Sequence, residues 1–206
     1  MSSPKRKRRQ KHFHEPLCVG DANCCKKLIL ILQLEDIERI CTATGMHPRQ
    51  FVRLYRPGEV EEEEGDEEAY IQTRSGRLVM GTRRPKDRCY FLNGRKCRVY
   101  PLKPLNCTIY PVDYQYPPSG TRVVCRNEKW CGAKRGPRVS VKPYLRLGDE
   151  YDRRQERLER FVKAWNRKTK GRATGREFME HVARYVRSRQ RRRRARTAAR
   201  RKRTPR

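Results

Sequence analysis

The chain has 206 residues; 35% are hydrophobic, 37% are charged, and 53 Lys and Arg against 23 Asp and Glu give a formal charge of +30. An average globular chain is about 45–50% apolar and about 25% charged, so this composition argues against one fully packed domain. The longest aliphatic run, Leu28-Ile29-Leu30-Ile31-Leu32, is far short of the ~20 residues that span a bilayer, which excludes a transmembrane helix.

The charge is uneven. Residues 1–12 hold six basic groups and no acid, and residues 186–206 hold twelve and no acid. Such stretches bury too little apolar surface to offset ordering entropy, so residues 1–12 and 187–206 are expected to be disordered tails. The stretch from Gln10 to Pro16 carries no apolar segment after the basic start, so it does not read as a secretory signal, and a cytoplasmic protein is expected.

Within 13–136, a short buried strand is expected at 28–32, then a helix near 34–44. Leu34, Ile37, Ile40 and Cys41 fall on one helical face, and Gly45 is the expected left-handed stop. His47-Pro48 reads as a second helix start, with Phe51, Val52 and Tyr55 turned inward. Residues 59–68 hold eight acids in ten positions, a pattern of a solvated loop. Tyr70–Thr73 and Arg77–Met80 flank Arg74-Ser75-Gly76 as a hairpin. Asn93-Gly94 predicts a tight turn that brings Cys89 and Cys97 together. Pro101, Pro104 and Pro111 place Cys97 and Cys107 on loops.

Residues 137–186 read as a two-helix extension. Leu158, Phe161, Val162 and Trp165 form one stripe, and Thr174-x-x-Glu177 is a capping box before Phe178, Met179, Val182, Tyr185 and Val186. The stripes are expected to pack on the cysteine domain or on each other.

All nine cysteines lie between Cys18 and Cys131. In a reducing compartment that density reads as metal binding or catalysis before disulfides. The spacings are Cys18-x5-Cys24-Cys25, Cys41, Cys89-x7-Cys97-x9-Cys107 and Cys125-x5-Cys131. No C-x2-C pair occurs, so the common zinc-finger and thioredoxin patterns are absent. Adjacent side chains diverge, so Cys24 and Cys25 either serve different ions or leave one sulfur in the core. Cys41 shares the face of Ile37 and Ile40 and reads as core. Cys125 is open: it replaces a missing thiolate or packs beside Val123 and Val124.

CVGDANCC at 18–25, LEDIERICTATGMHPRQF at 34–51 and CYFLNGRKCRVYPLKPLNCTIYP at 89–111 together resemble the CxxCxxCC cysteine-cluster family of zinc- or iron-chelating proteins, also called YkgJ-like. WCGAKRG at 130–136 resembles a diverged copy of the family's last cysteine motif. The resemblance implies zinc or iron as cofactor, held singly or in an iron–sulfur cluster. Carried over by position, it implies Cys18, Asp21, Cys24, Cys25, Cys89, Cys97, Cys107 and Cys131 as ligands. Asp21 stands where the family has its second cysteine, and carboxylate is a harder donor than thiolate. Lys103-Pro104 replaces Arg-Pro, and Thr108 replaces an arginine; Lys cannot supply bidentate hydrogen bonds.

The fold class expected is α+β: a small, irregular, metal-stapled domain at 13–136 with flanking helices and basic tails. Lys5, Arg6, Lys7, Arg8 and Arg9, with Arg191, Arg192, Arg193, Arg194, Arg200, Arg201, Lys202 and Arg203, point to nucleic acid (RNA or DNA) as partner, through phosphate attraction without sequence choice. Two other readings stay open. One is a nucleic-acid-binding protein whose metal is purely structural, and the other is an iron–sulfur redox or group-transfer enzyme.

Overall fold

A computed structural model describes residues 10–60, 69–117, 120–126 and 131–203. In chain order the elements are β1 (His12–Leu17), α1 (Asn23–Lys27), α2 (Leu34–Thr44), α3 (Pro48–Phe51), β2 (Val52–Tyr55), β3 (Ile71–Thr73) and β4 (Gly76–Thr82). There follow β5 (Leu92–Asn93), β6 (Lys96–Cys97), α4 (Leu105–Ile109), β7 (Val112–Gln115), β8 (Arg122–Cys125), β9 (Lys134–Ser140), α5 (Lys142–Thr169) and α6 (Gly175–Arg203). The class is α+β: small antiparallel sheets, the largest ordered β2-β4-β3, packed among helices.

The apolar stripe of α2 forms as its spacing predicts. Leu34, Ile37 and Ile40 are buried, and Cys41 lies with them in the core. Gly45 ends the helix with φ 72° and donates to the Cys41 carbonyl at 3.0 Å; the left-handed conformation is one that glycine adopts without a Cβ penalty. His47 caps α3, where its Nδ1 accepts the Arg49 N–H and the Gln50 side chain accepts the His47 N–H. Its role at a helix start is therefore structural. The second helix is only one turn long, because the run Val52-Arg53-Leu54-Tyr55 pairs with Thr82–Val79 as β2. Phe51, Val52 and Tyr55 point inward nonetheless.

The expected strand at 28–32 is reduced to a single bridge, Ile31 to Gly81. Leu32 N–H donates to Met80 and Thr82 N–H to Leu30, so the segment leans on β4 without forming a regular ladder. The 70–80 hairpin closes at Thr73–Gly76, and the Asn93-Gly94 turn closes β5 on β6, with Leu92 opposite Cys97.

The main core joins segments from both halves of the chain. Leu34, Ile37, Phe51 and Met80 lie in one buried cluster with Leu158, Val162 and Trp165 of α5 and with Phe178 and Val182 of α6. The two helices thus complete the cysteine domain's core. The Thr174–Glu177 capping box is present, with Glu177 N–H donating to Thr174 Oγ1 at 3.2 Å and Thr174 N–H to Glu177 Oε2 at 2.7 Å. A second cluster gathers Phe13, Leu105, Ile109, Val112, Val123 and Val141 beneath the β1–β9 pair.

Of the two expected tails, residues 10–12 and 187–203 take regular positions in the structure. Residues 1–9, with Lys5, Arg6, Lys7, Arg8 and Arg9, lie outside the described residues, as do 61–68 of the acidic stretch. The Gln10 amide both donates to and accepts from the Val123 backbone. At the other end α6 runs to Arg203 without a break. Arg and Ala are strong helix formers, and the run is tied down. Arg189 Nε lies 3.1 Å and Arg193 Nε 3.0 Å from the carboxylate of Glu38, a residue only 2% exposed. Arg193 is therefore anchored to the core, while Arg191, Arg192 and Arg194 are exposed. Arg200, Arg201, Lys202 and Arg203 continue the helix backbone.

Candidate metal centre

Helix α1 presents Cys24 and Cys25, and its end is fastened to the Cys89 turn by Arg84. That guanidinium donates to the carbonyls of Lys26 (2.7 Å) and Cys25 (3.4 Å), and also to those of Leu28 and Asp87. The last carbonyls of a helix have no partner within it, so one guanidinium satisfies several at once. Cys89 N–H donates to the Cys25 carbonyl at 2.8 Å, which fixes the two thiol-bearing segments side by side.

The consequence is a shared hydrogen-bond system of sulfurs. The Cys25 thiol hydrogen-bonds Cys24 and Cys89, which lowers both of those to about 7, while the same bonds raise Cys25. Thr82 is fully buried, and its side chain adds to the lowering of Cys89. Cys97 and Cys107 are raised, first by loss of hydration and then by negative charge on Cys89 and Cys24. Five sulfurs thus respond to one another's charge. Lys103 lowers Cys97 as a point charge and stacks its ammonium 5.0 Å from the Tyr100 ring. The guanidinium contact to this loop comes instead from Arg39, which donates to the Lys103 carbonyl at 2.7 Å.

Cys107 lies on α4 rather than on a loop, because Pro104 precedes the helix at its N-cap instead of interrupting it. Asp36 holds that helix in place. Its Oδ1 accepts the Leu105 N–H at 3.2 Å and lies 3.0 Å from Arg39 and 3.1 Å from Arg154. Neither Asp36 nor Arg84 carries a spacing signal as a support residue, and both escape a reading of the sequence that looks for ligands.

The remaining donors are Cys18, Asp21 and Cys131, and the negative charge of Asp21 reaches Cys24 and acts to raise it. Cys18 is exposed and accepts the Gly20 N–H at 3.4 Å. Asp21 braces the loop: Oδ1 accepts the Asn23 N–H, and Oδ2 accepts from the Asn23 side chain and, at 3.2 Å, from the Gly132 N–H. A Cβ at Gly132 would stand 2.6 Å from Asp21 Oδ2, so a larger residue there would push the carboxylate aside. Cys131 precedes Gly132; loss of hydration and then the charge of Cys131 raise Cys125, which ends β8 opposite Val112. Cys125 is exposed and so does not pack in the core beside Val123.

Among the described residues, no three His, Cys, Asp or Glu side chains converge closely enough to hold an ion as they stand. The chemistry of the gathered set still fits zinc or iron: soft sulfur donors, two already favoured as thiolates, with no competing carboxylate among the five.

A direct test lies in alkylation of the metal-free protein. A thiol lowered to about 7 is about half ionised at neutral pH, against about 1% for one at 9. Iodoacetamide mapped by mass spectrometry should modify Cys24 and Cys89 before the other cysteines, with rates falling as pH drops below 7. Cys25→Ala should return both toward 9, and equal rates across all nine thiols would refute the assignment.

Fold and thiol arrangement together describe a cysteine-rich α+β domain. The chain belongs to the CxxCxxCC family, described as a zinc- or iron-chelating domain, whose pattern matches residues 17–132. No curated protein and no solved structure matches it. No helix among the described residues is long and apolar enough to cross a membrane.

Proposed function

We propose that the chain chelates zinc or iron through thiolates of Cys24, Cys25, Cys89, Cys97 and Cys107, with Cys18, Asp21 and Cys131 at the border of the centre, and that its arginine-rich ends dock it on nucleic acid. The observation that carries the first part is the backbone bond from Cys89 N–H to the Cys25 carbonyl at 2.8 Å, which sets Cys89 beside the Cys24–Cys25 pair. Thiols set this close must lose protons and draw together to take up a soft ion. A bound ion supplies cross-linking free energy to a segment that otherwise has little regular structure, and binding releases protons from the thiols. From Arg83 to Tyr110 the backbone forms only two-residue strands, three-residue turns and the five-residue α4. That observation also favours a second reading, in which the metal is a structural staple of a nucleic-acid-binding protein.

Anaerobic purification with iron, sulfide and zinc analysis and a visible spectrum tests the centre. A cluster is expected to give sulfide and visible absorption, and zinc alone to give neither. Cys89→Ser with Cys97→Ser should remove the metal and lower the melting temperature sharply. Unchanged metal content and an unchanged melting curve would overturn the proposal. Exchange of the ion for cadmium without loss of nucleic-acid binding would favour the staple reading.

A further inference from the structure

The arginine run from Arg187 to Arg203 is a continuation of α6, and one side of it is already used. Arg189 and Arg193 reach down to Glu38, which is buried on α2. Arg187, Arg191, Arg192, Arg194 and Arg196 are exposed and have no ion-pair partner among the described residues. At about 100° per residue Arg187, Arg191 and Arg194 face away from the anchored side, Arg192 lies on its flank, and Arg196 falls about 20° from Arg189, so cationic side chains surround the helix. From Arg187 onward the helix is roughly 25 Å long at 1.5 Å per residue. It carries no apolar side chain larger than alanine. A protein groove or a membrane interface requires an apolar face on the helix it receives, and this one has none.

A cationic helix of this kind matches a groove with negative charge on both walls. The major groove of B-form DNA is about 12 Å wide and admits an α-helix, whereas the A-form major groove of duplex RNA is deep and narrow. At the root of the helix, a cleft of about 310 Å³ between α2 and α6 is lined by His47, Arg187, Gln190, Arg193 and Arg194 and by no acidic residue. We infer that α6 beyond Val186 lies in the major groove of B-form duplex DNA, as a rigid helix whose direction is set by the Glu38 anchor, with arginines meeting phosphates on both walls. This rests on the nucleic-acid docking proposed above and names its partner.

The test uses the full chain and fluorescence anisotropy with a DNA duplex of about two helical turns and an RNA duplex of the same sequence. DNA should bind at least about tenfold tighter than RNA, with a steep loss of affinity on adding salt. Ala195→Pro with Ala198→Pro leaves the charge unchanged and breaks the helix; it should weaken DNA binding about tenfold or more and lower the helical circular dichroism. Glu38→Gln removes a negative charge, so charge attraction alone predicts tighter binding, while loss of the anchor predicts weaker. Equal affinity for DNA and RNA, or proline variants that bind as tightly as the parent, would overturn the inference and leave docking by a flexible polycation in its place. Absence of salt-sensitive binding to either duplex would remove the docking proposal and the inference together.

Discussion

Asp36→Ala should lower stability by about 3–5 kcal/mol and strip the centre of Cys107's support. The magnitude is that of removing one partner from a buried ion pair, which leaves the others uncompensated. Asp36 is 1% exposed, Arg154 is 14% exposed, and the Leu105 N–H also ends on the lost carboxylate. The ion pairs themselves do not repay the burial. Desolvation raises the Asp36 carboxyl despite Arg39 and Arg154, and its Oδ2 is buried without a hydrogen-bond partner. The sign of the pH effect follows. Between the unfolded value of 3.8 and the raised folded value, the native state holds a proton that the unfolded chain has lost, so stability falls as pH rises through that window. Asp36→Asn lacks this titration and keeps an acceptor for Leu105. It should cost less than Asp36→Ala at neutral pH, and the parent should gain on it as pH falls toward 3.8. Denaturant unfolding at several pH values, with metal content measured in parallel, checks both statements. Full metal retention in Asp36→Ala would show that α4 is held by other contacts.

What the sequence displays and what it conceals divide along the range of the interaction involved. Local signals read correctly: the Leu34/Ile37/Ile40 stripe, the stop at Gly45, the hairpin turns at Ser75-Gly76 and Asn93-Gly94, and the Thr174–Glu177 box all rest on contacts a few residues apart. The β1–β9 pair joins residues more than a hundred positions apart, and Pro16 and Pro137 obscure the strand pattern on both sides. The arginine run gives a compositional signature of disorder, yet the residue that orders it, Glu38, lies on α2 and has no local relation to it. The same division holds in the metal centre. The family resemblance implies eight donors, the five grouped thiols among them, while Arg84 acts through backbone carbonyls and is invisible as a pattern. The acceptance of Asp21 by position alone also misses its work: its oxygens tie the Cys18 loop to Gly132.

Phe178→Ala should cost about 3–5 kcal/mol, the usual range for removing a buried aromatic ring from a packed core. Phe178 is fully buried, with ring centroids 5.4 Å from Trp165 and 6.0 Å from Phe161, both edge-on. It lies outside the family-matched stretch of 17–132, so the substitution asks whether α5 and α6 are an appendage or part of the domain. Their shared cluster with Ile37, Phe51 and Met80 predicts the second answer. Loss of the ring should lower one cooperative transition, followed identically by tryptophan fluorescence and by metal release, as a two-state unit requires. Arg192→Ala, on the exposed side of the same helix, should change stability by no more than about 0.5 kcal/mol. If α5 and α6 were an independent extension, Phe178→Ala would melt them in a separate early step, and the metal would leave at the parent's temperature.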